Sequence, residues 1–102
     1  MKKGEYSVKL MLRAARDIEE CYAYIAEHLH APQSADALLD SLENAIYSLE
    51  EFPYRCPTRK TRRFADAEYR QLFVKNFVIV FRIDEENKTV LIVTVRYARS
   101  EF

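Results

Sequence analysis

A run of basic side chains is the part of the sequence whose residue types and spacing could most directly do chemistry. The run lies in residues 53–66, a segment without hydrophobic periodicity, and contains Arg55, Arg59, Lys60, Arg62 and Arg63 with no acid among them. Clustered guanidinium and ammonium groups form an electropositive patch that can hold phosphates or an acidic protein segment. We therefore predict that these residues bind a target or its phosphate groups.

The charge of the chain is divided between its two halves. The formal net charge is zero, but residues 1–54 hold five basic and ten acidic side chains, whereas residues 55–102 hold eleven basic and six acidic ones. Further basic residues follow the run on the predicted strands, and we assign Arg82 among them to the same patch. The positive half is thus the part expected to meet a polyanionic or acidic partner.

Several kinds of chemistry are excluded by residue counts. The only glycine is Gly4, so no glycine-rich loop can cradle a phosphate, and no nucleotide cofactor is expected. The two histidines, His28 and His30, are two positions apart on a predicted helix and point in different directions, which makes a poor metal pair. Cys21 and Cys56 form neither a CxxC motif nor a disulfide framework and are interpreted as reduced thiols.

The length and composition predict one globular domain, residues 1–102. With 49% hydrophobic and 13% aromatic residues the chain can build a core without disulfides or metals. Its longest apolar stretch is far below the roughly 20 residues that a membrane span requires, and no secretory signal is recognisable. We therefore expect a soluble, cytoplasmic protein with no membrane partner.

Hydrophobic periodicity divides the chain into six elements. Period two predicts strands, and steps of three and four predict amphipathic helices. Pro32 limits the first helix, since proline disfavours helical geometry at the residue before it, and suits the first turn of the second. The predicted strands are residues 5–12, 68–74, 77–84 and 89–99, and the predicted helices are residues 13–30 and 32–52.

These elements predict an α+β fold of order β-α-α-β-β-β. A short connection folds the two helices into a hairpin, and tight polar turns join the last three strands. The expected closure is a four-stranded antiparallel sheet with the N-terminal helical hairpin on one face. Strand 77–84 is apolar on both faces, so a partner, a second copy or the long loop must cover the second face, and we favour a partner.

The order of elements and three short motifs resemble the RelE/ParE superfamily, the toxins of type II toxin–antitoxin (plasmid-stabilisation) systems. In that superfamily a tyrosine–arginine pair opens the second strand, an asparagine–aromatic pair opens the third, and a V-x-Y-x-R pattern closes the fourth. Here these motifs are Tyr69–Arg70, Asn76–Phe77 and residues 95–99. The resemblance covers nearly the whole chain, and the order and spacing of the motifs make it specific.

The resemblance implies two possible activities. RelE-like members are ribosome-dependent mRNA endoribonucleases, and for such an enzyme it implies Arg70 and Arg99 on the phosphate, with Tyr97 or Lys75 in proton transfer. Two basic positions of that site are apolar here, at Leu72 and Val78. The chain is therefore closer to the ParE branch, whose members act on DNA gyrase, and we favour a binding protein over an enzyme.

Both branches imply a cognate antitoxin as partner, and oligomers formed with it. We expect the antitoxin to contact the helical hairpin and the strand face that bears Val78, Val80 and Arg82, using a segment with acidic and apolar residues. A third interpretation is a non-toxic relative that retains only the antitoxin interface. No cofactor and no metal is implied by any of the three.

Overall fold

The computed structural model describes residues 5–59 and 68–98. It confirms the α+β class, with two helices preceding most of the strands. The strands are β1 Ser7–Leu10, β2 Thr58–Arg59, β3 Tyr69–Val74, β4 Phe77–Asp84 and β5 Thr89–Tyr97, and the helices are α1 Leu12–Ala23 and α2 Pro32–Ser48. A π-helical turn, Tyr24–His28, follows α1, and a single 3-10 turn, Pro53–Arg55, follows α2.

The sheet has the strand order β1-β5-β4-β3-β2. β3, β4 and β5 form the expected antiparallel meander, but β1 pairs with β5 in parallel, so the sheet is mixed and not antiparallel throughout. The difference arises because β2 lies in the segment predicted to be a loop and pairs antiparallel with β3. This extra reversal of the chain makes β1, β3 and β5 run in the same direction.

The two helices form the predicted hairpin. The chain reverses direction between the π-helical turn and Pro32. The π-helical turn carries the helix beyond α1 to Leu29, and His30 then adopts a left-handed φ of 52°. Pro32 occupies the first turn of α2, where its missing N–H costs no hydrogen bond.

α2 ends earlier than the predicted boundary at residue 52. Phe52 has a left-handed φ of 52° and precedes Pro53, whose ring disfavours helical backbone at the residue before it. The Phe52 side chain is 73% exposed, so the buried stripe of this segment ends at Leu49. The apolar spacing predicted a helix as far as Phe52. The helix ends before this residue, although the spacing itself is that of a helix.

The inner stripe of the hairpin and one face of the sheet form the hydrophobic core. Ile79 and Phe81 of β4 have no solvent exposure and belong to one cluster with the helices. The hairpin therefore covers the sheet face that bears these two residues. Burying a side chain such as that of Phe81 contributes about 1.5–3 kcal/mol. The same cluster includes Ala14, Leu38, Leu42, Ile46, Leu49, Val90, Ile92 and Val95.

Beyond the end of β1, a side chain of α1 forms the hydrogen bonds to the edge of β5. β1 pairs with β5 only as far as Ile92, so beyond that point no strand of residues 5–59 and 68–98 lies beside the outer edge of β5. The carboxylate of Asp17 accepts hydrogen bonds there from the Val95 N–H, at 3.2 Å, and from the Thr94 hydroxyl. Satisfying an edge N–H in this way fixes the position of α1 against the sheet.

The turn between β3 and β4 provides a test of local backbone strain. Lys75 has a φ of 56°, which costs a non-glycine residue about 1 kcal/mol. We expect Lys75→Gly to raise the free energy of unfolding by about 0.5–1 kcal/mol, measured as a higher melting temperature. Asn76, in the same turn, has no positive φ, so Asn76→Gly should not stabilise. An equal rise for both variants would contradict this account.

Candidate partner-binding surfaces

An open apolar groove lies between the helical hairpin and β1. Because β1 is a short edge strand, its apolar side chains are only partly covered, and Leu10 remains 44% exposed. α1 and α2 supply the other two walls. The groove is lined by Val8 and Leu10 from β1, Ala15 and Ile18 from α1, and Leu39, Glu43, Ile46 and Tyr47 from α2.

The groove suits side chains of another protein better than a small molecule. Its cavity volume of about 250 Å³ is below the roughly 300–1,000 Å³ of small-molecule sites. Tyr47 is 63% exposed on its rim, and aromatic residues are enriched at protein interfaces. Glu43 is the only charged residue of the lining and makes no ion pair or hydrogen bond within the part of the chain that the structure describes.

Sequence reasoning predicted antitoxin contacts along the hairpin but did not identify this groove. The apolar spacing of α1 and α2 predicts a buried stripe on each helix. It does not indicate which apolar residues of the stripe lie at its edge and stay accessible to solvent. Leu10 falls inside the predicted first strand, residues 5–12, but β1 ends at this residue and its side chain remains exposed. The one sequence signal was Tyr47, an aromatic residue immediately beside the stripe.

Arg70, assigned to a ribonuclease site, has its guanidinium directed at its own chain. Nη1 donates hydrogen bonds to the carbonyl oxygens of Cys56, at 2.6 Å, and Tyr54, at 3.4 Å. Nη2 forms an ion pair of 3.1 Å with Glu68, and the guanidinium carbon lies 5.0 Å from the centroid of the Tyr54 ring. Only 14% of the Arg70 side chain is exposed. The side chain thus fixes the segment after α2 to β3.

Arg55, assigned to the target-binding patch, is likewise occupied. Its Nη1 donates to the carbonyl oxygens of Glu51, at 2.8 Å, and of Phe52 and Ser48 at longer distances. A cation at these carbonyls satisfies the C-terminal end of α2 and offsets its helix dipole.

The remaining members of the predicted patch are only partly described. Arg82 is exposed on β4. Arg59 is described as backbone alone, in β2, and Lys60, Arg62 and Arg63 lie outside the described residues. A continuous patch that includes the whole basic run therefore stays a prediction.

The other predicted site residues fall into two groups. Tyr97 is 39% exposed, and its ring packs edge-on against Phe77 with the centroids 5.4 Å apart, while Arg99 lies outside the described residues. Val78 and Val80, assigned to the antitoxin contact, are 1% and 4% exposed. Of the assigned strand face, Arg82 is therefore accessible and the two valines are not.

A polar cluster that the sequence did not indicate surrounds Glu85 in the turn between β4 and β5. One carboxylate oxygen, Oε1, accepts hydrogen bonds of 2.8 Å from the hydroxyls of both Tyr6 and Tyr54. The other, Oε2, pairs with the ammonium of Lys88. The Lys88 hydrogen bond, followed by those of the two tyrosines, lowers the pKa of Glu85 from its usual 4.5 to about 2. The cluster joins the residue that precedes β1, the 3-10 turn and the β4–β5 turn.

Other reactive groups make no site in the described residues. No group of three potential metal ligands occurs in residues 5–59 and 68–98. Cys21 and Cys56 are free thiols, and burial raises the pKa of each, which disfavours the reactive thiolate. In the same described ranges, no helix has the length and apolar character needed to cross a bilayer.

The fold is shared with chains of three solved toxin–antitoxin complexes. They are a chromosomal ParDE system from P. aeruginosa (19% identity, 91% of this chain and 96% of that chain covered, TM-score 0.73), the RelBE2 complex from Mycobacterium tuberculosis (24%, 94% and 94%, 0.62) and an archaeal RelE–RelB complex from Pyrococcus horikoshii OT3 (11%, 92% and 96%, 0.62). At these identities the likeness establishes the fold alone.

The family is established by the sequence itself. The family model described as "ParE toxin of type II toxin-antitoxin system, parDE" matches residues 8–102. The chain belongs to this family and is a toxin of the toxin–antitoxin class, which confirms the resemblance noted above. No curated protein sequence matches the chain.

Replacing Arg70 tests its contacts with the segment after α2. We expect Arg70→Ala to lower the free energy of unfolding by about 1–3 kcal/mol, because the partly buried carbonyl oxygen of Cys56 loses a charged donor. Urea unfolding measures the change. Arg82→Ala is the matched control, since Arg82 is exposed and should change stability by no more than about 0.5 kcal/mol. Similar losses for both variants would refute the structural role of Arg70.

The low pKa of Glu85 predicts a specific loss of stability in acid. A carboxyl group whose pKa falls on folding stabilises the fold above its unfolded pKa, near 4.5, and this stabilisation is lost as the pH falls towards about 2. Denaturation between neutral pH and this range should show a steeper loss for the wild type than for Glu85→Gln. Glu86→Gln, in the same turn, is the control and should retain the wild-type profile. A wild-type slope in Glu85→Gln would contradict the prediction.

Proposed function

We propose that this chain inhibits DNA gyrase by binding it, in the cytoplasm, and is itself held inactive by a cognate antitoxin. Its membership of the ParE toxin family supports the general role. The observation that carries the choice of a binding mechanism is the environment of Arg70. A ribonuclease needs cations that face the scissile phosphate, where they stabilise charge in the transition state.

Arg70 does not present such a cation. Its charge is matched by Glu68, its Nη1 donates to two backbone carbonyl oxygens, and its side chain is largely buried. Turning it towards a phosphate would break these contacts and release the segment after α2. Leu72 and Val78, at the other two positions of the ribonuclease pattern, are apolar and largely covered by the fold.

A binding mechanism needs accessible surface, and the described residues offer an apolar groove at the hairpin and an exposed arginine on β4. The groove at the hairpin is apolar with an acidic rim, and the exposed Arg82 lies on β4. One inhibitor can therefore meet an antitoxin and a target through different side chains. Complementary charge at each surface would favour the right partner and speed its association.

A supercoiling assay with purified gyrase and relaxed plasmid tests the proposal. We expect inhibition at micromolar concentrations of the chain, and recovery of supercoiling when the cognate antitoxin is added. A parallel assay on translating ribosomes, with mRNA ends mapped, should give intact messages. Active gyrase together with cleaved messages would favour the RelE-like mechanism. Normal growth after induction without antitoxin, with neither activity, would favour a non-toxic relative.

A further inference from the structure

One side of α2 is exposed and acidic, and it ends in an aromatic residue. Asp36, Asp40, Glu43 and Tyr47 follow one another at steps of four and three, so they lie on the same side of the helix. All four are exposed, and the sequence has no lysine or arginine in residues 17–54 to neutralise them. These four residues are called the α2 stripe below.

A hollow lies at the C-terminal end of the α2 stripe. Its volume is about 460 Å³, and it is lined by Tyr47, Ser48, Glu51, Phe52 and Arg55. Tyr47 and Phe52 are 63% and 73% exposed, although phenylalanine is among the residues most often buried. A left-handed φ of 52° at Phe52 accompanies this exposure. Exposed aromatic rings around a hollow of this size suit contact with an aromatic side chain of another protein.

The sheet face that points away from the hairpin carries positive charge. Residues that pair across neighbouring strands share a face, and Phe73, Val78 and Arg96 form such a row across β3, β4 and β5. Ile79 packs with the helices, so Val78 points away from them, and Arg82 lies on the same face of β4 as Val78. Phe73 is 54% exposed, and both arginines are exposed. This outer sheet face therefore presents an aromatic ring together with two cations.

The two surfaces match in charge and in spacing. At about 1.5 Å per residue, Asp40 lies about 10 Å along α2 from Tyr47 at the hollow. At about 3.3 Å per residue, Arg82 lies about 13 Å along β4 from Val78, which pairs with Phe73. If the Phe73 ring enters the hollow of another copy, Arg82 can therefore reach Asp40 of that copy, because the long arginine side chain covers the small difference.

We propose that copies of this chain associate head to tail, with the hollow and α2 stripe of one copy against the outer sheet face of the next. Phe73 packs in the hollow against Tyr47 and Phe52, and Arg82 pairs with Asp40. A second copy is the occupant because each chain carries both surfaces, and because a net charge of zero removes general repulsion between copies. Two α2 stripes placed together would oppose like charges, so the contact joins unlike surfaces.

A contact between unlike surfaces leaves one surface of each kind free at the ends of every assembly. Assemblies of this type grow with concentration unless they close into a ring. Arg82 is covered within them, so any partner that contacts this side chain competes with a second copy. The inference concerns the chain by itself and depends on neither gyrase nor an antitoxin.

Sedimentation equilibrium of the purified chain tests this contact. At low salt we expect the average mass to rise above 12.1 kDa with concentration and to pass twice this value. It should return to 12.1 kDa in about 1 M salt, where charges are screened beyond about 3 Å. Asp40→Lys and Arg82→Glu should each weaken association by about tenfold or more. Glu20→Lys, an equal change of charge at an exposed position of α1, is the matched control and should change it by less than about twofold.

Mixing the two charge-reversal variants identifies the surfaces. Arg82→Glu keeps the wild-type α2 stripe and Asp40→Lys keeps the wild-type outer sheet face, so the mixture should form pairs that stop at twice the chain mass. Thermal unfolding of each variant shows that the fold is retained. A wild-type mass of 12.1 kDa at every concentration would overturn the inference. So would a mixture that stays monomeric while the wild type associates, or a wild-type mass that levels off at that of a dimer.

Discussion

The junction between the helical layer and the sheet is the constraint on which the rest of this structure depends. The chain must leave α2 and enter the sheet within the nine residues 49–57, and it does so without a glycine. Phe52 adopts a left-handed conformation, Arg55 caps the end of α2, and Arg70 fixes the following segment to β3. These two arginines show why a basic residue near a predicted site does not by itself indicate phosphate binding.

The same junction explains the limits of sequence reasoning for this chain. β4 was predicted with its observed bounds, since alternation over eight residues is bounded by polar turns on both sides. β2 contains two residues, too few for any period, and missing it led to the wrong direction for β1. The cluster at Glu85 joins residues 79 and 31 positions apart, so no local pattern could reveal it.

The candidate surfaces were predictable in kind and not in detail. The opposite charges of the two halves can be read from the sequence, and the expected contact of a partner with the hairpin stays a prediction. The groove could not be located because exposed and buried members of an apolar stripe look alike. Val78 and Val80 illustrate the converse, since their strand face was assigned to a partner and both valines are already buried in the chain alone.

The pairing of β1 with β5 has a consequence for how the protein is made. Ser7 lies opposite Thr89, so the first strand to be synthesised can be completed only by the last. Contacts of such long sequence separation slow folding, because the entropy of closing the loop opposes them. A ribosome-bound chain that lacks β5 has no strand for β1 to pair with and no Val95 for Asp17 to bind. The sheet is therefore complete only once β5 has been made and has paired with β1.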